Sequence, residues 1–259
     1  FLKEQLYYDN LLSEQRQLQY QLYQIQSQGG RTLNPNSNSF LNTRSLLFDG
    51  VDDFVDCGTE LGASLGSSYA GDQTLSVWYK RTSSRIENLF NIGNTGAYGN
   101  GASLIFINNR LICGLRFANR AEFTTTFDTD WHHALYSVKN NGDATFTLKL
   151  YLDGTEVVNT IVSIGYFALN FTNNTAQIGK SSTYEFSGKI DEVAFFDSDQ
   201  SANVSTIYNS GVPTSLSTYS PLTWWRCGDG DTSPTLTDNG SLGNNGTING
   251  AIIVEDVPS

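Results

Sequence analysis

After residue 44, apolar and polar residues alternate with a period of two. In TLSVWYK (74–80), Leu75, Val77 and Tyr79 oppose Ser76, Trp78 and Lys80. In TFTLKLYLDG (145–154), Phe146, Leu148, Leu150 and Leu152 oppose polar residues apart from Tyr151. Successive side chains of a strand point to opposite faces, so each segment predicts a strand with one face on a core. The second ends in Asp153-Gly154, which predicts a tight hairpin. Further strands are predicted at SLIFI (103–107), LICGLRF (111–117), AEFTTTF (121–127), HHALYSV (132–138), AQIG (176–179) and KIDEVAFF (189–196), with a turn at Asn108-Asn109. Short strands with turns roughly every 8–12 residues imply a β-sandwich. One helix interrupts them: Val204, Ile207 and Tyr208 share a face in SDQSANVSTIYNSG (198–211). Ser198 or Ser201 is expected to cap its start, and Gly211 to end it.

Residues 1–28 differ from the rest. They lack Pro and Gly and are rich in Gln. Tyr8, Leu11, Gln15, Leu18, Leu22 and Ile25 follow heptad spacing, with Gln15 as a polar layer that fixes register. Gly29-Gly30 stops the helix. One helix cannot bury such a seam alone, so the segment is expected to form a homo-oligomer, with a trimer preferred, or to dock on a partner. The alternative is an amphipathic helix lying on its own domain. Its apolar positions are interrupted by Gln, Glu and Arg, so it does not read as a signal peptide. Residues 29–44 form an Asn-, Ser- and Gly-rich linker.

Composition narrows the setting. Of 259 residues, 39% are hydrophobic and 12% aromatic, enough for a substantial core, while only 16% are charged. That balance suits an extracellular or virion β protein. The net charge of -11 repels phosphate backbones and anionic membranes, so nucleic acid is excluded as an expected partner. No apolar run reaches the ~20 residues of a membrane span. The three cysteines, Cys57, Cys113 and Cys227, lack zinc-site spacing. They are expected as buried thiols, with a Cys57–Cys227 pair as the alternative.

LLFDGVDDFVDCG, TLSVWYKRTSS, DWHHALYSV, LKLYLDG, AQIG and FSGKIDEVAFFDSDQSANVSTIYNSG occur in that order over residues 45–211. Together they resemble the laminin G-like (concanavalin A-like) jelly roll. The resemblance implies an all-β sandwich over 45–212, after the helix 1–28 and linker 29–44. Residues 213–259 look like the lead-in that often precedes such a domain, and are expected to complete this sandwich or to begin a second copy. The arrangement with an N-terminal helix resembles structural proteins of tailed phages. It implies a virion location, as a fibre, head decoration or tail appendage beside other virion proteins, displaying a lectin-like domain to surface glycans. The alternative is a secreted or cell-surface carbohydrate-binding adhesion module. Five Asn-x-Ser/Thr sequons, beginning at Asn170, Asn173, Asn203, Asn239 and Asn245, suit that alternative.

Three chemistries compete for the four aspartates of LLFDGVDDFVDC (46–57). Glycosidases on this fold need paired carboxylates on one strand face. The Glu-x-Asp-x-x-Glu motif of laminarinase-type relatives is absent, and Asp191-Glu192 are adjacent and so point to opposite faces. His132 and His133 read as packing residues. No catalytic residue is therefore expected, and a polysaccharide-degrading enzyme is the weakest reading. Asp49-Gly50 reads as a turn. The resemblance further implies one structural Ca²⁺, carried by Asp191 with backbone oxygens near Gly50 and Asp52. For glycan contacts, NIGNTGAYGNGAS (91–103) offers Tyr98 with Asn94 and Asn100, and Tyr184 lies near another loop. Trp78, Tyr166 and Phe167 are further aromatic candidates.

Overall fold

The period-two segments become strands of two antiparallel sheets, each of eight strands. The structure, a computed structural model, describes residues 40–93, 101–116, 119–163, 170–182 and 184–259. It divides into Phe1–Leu41 and Asn42–Ser259, and the sandwich is built by the second unit. The heptad positions Tyr8 to Ile25 lie outside the described residues.

The first sheet contains β1 (Ser45–Asp49), β3 (Gln73–Arg81), β8 (Trp131–Asn140), β9 (Thr145–Leu152), β10 (Thr155–Ser163), β14 (Ser187–Phe196), β15 (Thr223–Trp225) and β18 (Ile252–Val254). Its order is β10-β9-β8-β3-β14-β1-β18, and β15 also pairs with β14. The second contains β2 (Phe54–Asp56), β4 (Glu87–Gly93), β5 (Gly101–Ile107), β6 (Arg110–Arg116), β7 (Asn119–Thr124), β11 (Ala176–Ile178), β16 (Thr235–Leu236) and β17 (Gly246–Asn249). Its order is β16-β17-β2-β11-β4-β5-β6-β7. A small ribbon pairs β12 (Lys180–Ser181) with β13 (Tyr184–Glu185).

Inward faces from both sheets make one core. Leu75, Val77 and Tyr79 of β3 meet Phe90, Leu104 and Phe106 from the opposite sheet. Each fully buried side chain of this size contributes about 1.5–3 kcal/mol of transfer free energy. Trp78, His133, Ala194 and Phe196 are equally buried but face the other way. Segment 197–222 covers them, including the short helix α2 (Val204–Tyr208), which follows α1 (Glu60–Leu65) in the chain, and Trp78 stacks on Tyr208 at 5.6 Å. The "polar" face of β3 is thus a second interior, where Ser76 Oγ bonds His133 Nε2 at 2.8 Å.

The C-terminal residues supply strands to both sheets. β18 pairs with β1, β17 with β2, and β15 with β14. Loop 50–53 crosses between the sheets, because β1 and β2 belong to different ones. The turn after β9 carries Asp153 at φ 49° and Gly154 at φ 74°, the pair of left-handed residues that a type I′ hairpin requires. The helix ends differ from expectation. Asp199 Oδ1, rather than a serine, accepts the Ser201 N–H at 2.9 Å. The left-handed residue closing α2 is Asn209 at φ 48°, two residues before Gly211. All three cysteines are free and buried.

Candidate functional site

At one end of the sandwich the sheets part around a cleft of about 290 Å³, lined by Tyr79, Arg81, Phe106, Phe123, Leu152 and His132, with residues 124–128 as its rim. β3 places Arg81 there by simple alternation. Leu75, Val77 and Tyr79 face the core, and Arg81 is the next residue on that face. It is only 4% exposed. Its Nε donates to Glu87 Oε2 at 2.8 Å, and its Nη2 donates to the Asn108 carbonyl at 3.0 Å. Glu87, itself fully buried, also accepts from Ser83 Oγ at 2.7 Å and Ser187 N at 3.2 Å.

Aromatic rings bracket the guanidinium. Its carbon lies 3.8 Å from the Phe106 centroid and 5.6 Å from that of Phe127. Cation–π attraction favours both contacts. Tyr79 packs edge-on against Phe106 at 5.2 Å. Phe127 is 38% exposed, one of the few large apolar side chains left at the surface.

His132 forms the other wall. It is paired with Tyr79 across β3 and β8. Nδ1 bonds Asp153 Oδ2 at 2.7 Å, and Nε2 bonds Asp128 Oδ1 at 2.9 Å. The Asp153 hydrogen bond, against some burial and with help from Asp128, pushes the imidazole up to about 9. His132 is therefore a cation at neutral pH, with both nitrogens acting as donors. Burial pulls the Asp128 carboxyl upward, but the Asp130 N–H and His132 outweigh it and hold it below its ordinary value. Asp153 also accepts the His133 N–H at 2.8 Å. His133 differs: burial lowers it to about 4, leaving it neutral.

Both ring nitrogens of His132 are engaged by carboxylates, so it offers no free base. Asp128 and Asp153 each spend an oxygen on His132. An aromatic wall beside hydroxyl and carboxylate groups matches the make-up of small-molecule sites, and the volume is near the lower end of their roughly 300–1,000 Å³ range.

The residues expected from sequence fall elsewhere. Asn94, Tyr98 and Asn100, like Tyr166 and Phe167, lie outside the described residues. Tyr184 is half-buried in the β12–β13 ribbon, paired with Ser181, and does not line the cleft. Trp78 is enclosed beneath Tyr208 and is unavailable to a ligand.

The expected metal set of Asp191, Gly50 and Asp52 does not come together. Asp49 is register partner to Ser187, so Asp191 lies four residues further along β14, about 13 Å at a strand's rise. The Gly50 carbonyl already accepts the Arg85 guanidinium. Asp191 is fully buried, at a bulge where β14 shifts register against β3 and changes its other neighbour from β1 to β15. Asn42 Nδ2 donates to it at 2.8 Å, and burial raises its carboxyl well above the usual range. Next to it, Glu192 accepts the Trp224 Nε1–H at 2.5 Å and pairs with Arg226 at 3.2 Å, its carboxyl pushed up to about 7 chiefly by burial. The pair anchors the C-terminal strand β15 to the sandwich. Asp52 instead groups with Asp49 and Asp53, whose ligand oxygens lie within 4.8 Å of one another. Those three could hold a hard cation.

Sequence reasoning missed Arg81, Phe106, Phe127 and the His132 clamp. The signal for Arg81 was readable, as a charge continuing the apolar face of β3. The Asp128–His132–Asp153 arrangement joins a loop and a hairpin turn, and pairing alone brings them together.

Comparisons with known proteins agree with this architecture. No match was found among curated protein sequences. Among solved structures, the heptameric SAP-like pentraxin of Limulus polyphemus superposes with a TM-score of 0.52 at 11% identity, covering 83% of this chain and 96% of that one. The CBM40 module of the Ruminococcus gnavus IT-sialidase gives a TM-score of 0.49 at 14% identity, over 66% of this chain and 100% of that one. The receptor-binding domain of botulinum neurotoxin D gives 0.47 at 16% identity, over 67% of this chain and 46% of that one. The pentraxin likeness concerns the fold alone. Among the described residues no helix is long and apolar enough to cross a membrane. Residues 49–204 match the concanavalin A-like lectin/glucanases superfamily. The chain belongs to that superfamily, as a laminin G-like jelly roll.

Proposed function

We propose that the protein is a non-catalytic glycan-binding module, and that the cleft between Phe127, Phe106 and His132 receives a sugar ring. One observation carries the reading: Phe127 stands 38% exposed at the mouth of a cleft whose rim is Thr124, Thr125, Thr126 and Asp128. A sugar ring has an apolar C–H face that packs on an aromatic ring, and hydroxyls that bond to threonine and carboxylate oxygens. The charged pairs behind the wall fix the aromatic side chains without offering a free general base. The non-catalytic reading rests on that engagement of His132, Asp128 and Asp153.

Display on a phage virion remains part of the proposal, supported by the heptad spacing of Tyr8 to Ile25 and the acidic, Asn-rich sequence. A trimer through that segment would present several clefts together, and avidity would compensate for a small single site. The structural Ca²⁺ implied by the family is assigned to Asp49, Asp52 and Asp53 in place of the set with Asp191.

The test is a glycan-array screen of the intact chain beside Phe127→Ala. The reading expects a defined glycan class bound by the native protein and lost on substitution, with the melting temperature unchanged. Equal binding by both proteins removes the cleft from the account.

A further inference from the structure

Arg81 forms part of the cleft wall and is only 4% exposed. A guanidinium carries five N–H donors in a fixed fork. The fold engages two of the three Arg81 nitrogens. Nε donates to Glu87 Oε2 at 2.8 Å. Nη2 donates to the Asn108 carbonyl at 3.0 Å and to the Arg85 carbonyl at 3.4 Å. Nη1 makes no hydrogen bond among the described residues. A buried N–H without an acceptor is costly, so the two Nη1 donors call for a group that accepts. The guanidinium carbon lies 3.8 Å from the Phe106 centroid and 5.6 Å from that of Phe127. The unengaged nitrogen therefore belongs to the aromatic wall on which a sugar would pack.

The rim offers the opposite function. Asp128 lines the same cleft, with 40% of its side chain exposed. Its Oδ1 accepts the Asp130 N–H at 2.9 Å and bonds His132 Nε2 at 2.9 Å. Oδ2 has no hydrogen-bond partner among the described residues. Burial raises the Asp128 carboxyl, yet the Asp130 N–H, His132 and the Arg81 charge together hold it below its ordinary value. Oδ2 is thus an ionised acceptor at neutral pH. A donor in the wall and an acceptor at the mouth ask for a ligand that both accepts and donates. A hydroxyl does both, whereas a carboxylate only accepts. Charge draws the same distinction. Arg81 is already paired with Glu87, and His132 with Asp128 and Asp153. An incoming carboxylate would find no uncommitted cation there, and would meet Asp128 at the mouth. Like charges a few ångströms apart repel even when partly screened.

On the reading of the cleft as a glycan site, on which this selectivity rests, we propose that it takes neutral sugars and rejects carboxylated ones, with one hydroxyl accepting from Arg81 Nη1 and another donating to Asp128 Oδ2. Thr124, Thr125 and Thr126 on the rim carry hydroxyls that serve in either sense, so the discrimination falls to Asp128. Arg81 then has two roles. Its paired edge holds the wall together, and its third nitrogen orients the sugar.

The test presents the intact chain, Phe127→Ala and Asp128→Asn with glycans ending in neutral hexoses and with matched glycans ending in the corresponding uronic acids. Melting shows that each protein is folded. The native chain is expected to bind the neutral members about tenfold or more tightly than their uronic counterparts, and Phe127→Ala to lose that binding. Asp128→Asn replaces Oδ2 by an amide that donates, so the neutral preference is expected to shrink about fivefold or more. With the strongest neutral glycan bound to the native chain, the Arg81 Nη1 protons are expected to exchange more slowly with water, as read by ¹⁵N NMR. That measurement needs no variant. Uronic glycans bound as tightly as neutral ones, and lost in Phe127→Ala, overturn the selectivity and leave the glycan reading standing. A preference unchanged in Asp128→Asn overturns the role of Asp128, and Nη1 exchange unchanged by the sugar overturns that of Arg81. No glycan bound by the native chain, or binding indifferent to Phe127→Ala, overturns the glycan reading and the selectivity with it.

Discussion

Arg81 and Glu87 form a buried ion pair at 2.8 Å, with side-chain exposures of 4% and 0%. Two charges in such a place are stable only together, because removing one leaves the other desolvated and uncompensated. Arg81→Met is expected to destabilise the fold by about 3–5 kcal/mol. Arg81→Met/Glu87→Gln should cost clearly less than the sum of the single changes. Urea denaturation of the three variants measures this, and additive losses would contradict a coupled pair.

The His132 clamp makes stability depend on pH. Its folded value of about 9 lies above the model-peptide value of 6.5, so between these values the folded state holds a proton that the unfolded chain releases. Stability then falls as pH rises. The contribution is complete below about pH 6.5 and is lost as pH climbs through 9. Comparison of native and His132→Gln melting from pH 6 to 10 is expected to show the difference shrinking across that window. A constant difference would mean that the clamp is neutral.

The hairpin after β9 sets a third expectation. Gly154 sits at φ +74°, and a Cβ there would come within 2.6 Å of Tyr208 Cδ1. Gly154→Ala therefore meets backbone strain and a clash with the ring that stacks on Trp78. The expected cost is about 1–3 kcal/mol, read by thermal melting. An unaffected Tm would show that the Tyr208 ring yields freely.

Removal of residues 213–259 tests the role of the C-terminal strands. Without β15, β17 and β18, one side of β14, β1 and β2 loses its partner, and exposed edges promote aggregation. The truncated chain is expected to be insoluble or unfolded by circular dichroism. A soluble, cooperative sandwich would show those strands to be dispensable.

The two-sheet sandwich was legible because alternation is a local signal. Leu75, Val77 and Tyr79 mark their own face whatever lies opposite. The turns at Asn108-Asn109 and Asp153-Gly154 were legible for the same reason, since their residue types favour left-handed backbone. β4 and β10 were not, because ENLFNIG (87–93) and TEVVNTIVS (155–163) do not alternate cleanly. Trp78 misled because period two alone cannot show that segment 197–222 covers the outer face. The cleft was illegible as a unit. Arg81, Phe106, Phe127 and His132 come from separate parts of the chain, and only the packing of the two sheets brings them together. The spacing of Asp191 from the Asp49–Asp53 turn was illegible for a related reason, since only strand register sets Asp49 opposite Ser187, four residues before Asp191.

The most direct measurement is a heteronuclear NMR titration of the intact chain with the strongest glycan found on an array. Specific binding in the cleft predicts saturable shifts centred on residues 124–128, His132 and the Arg81 side chain, absent in Phe127→Ala. Shifts that cluster on another face, or that persist unchanged in Phe127→Ala, would contradict the assignment of the cleft as the glycan site.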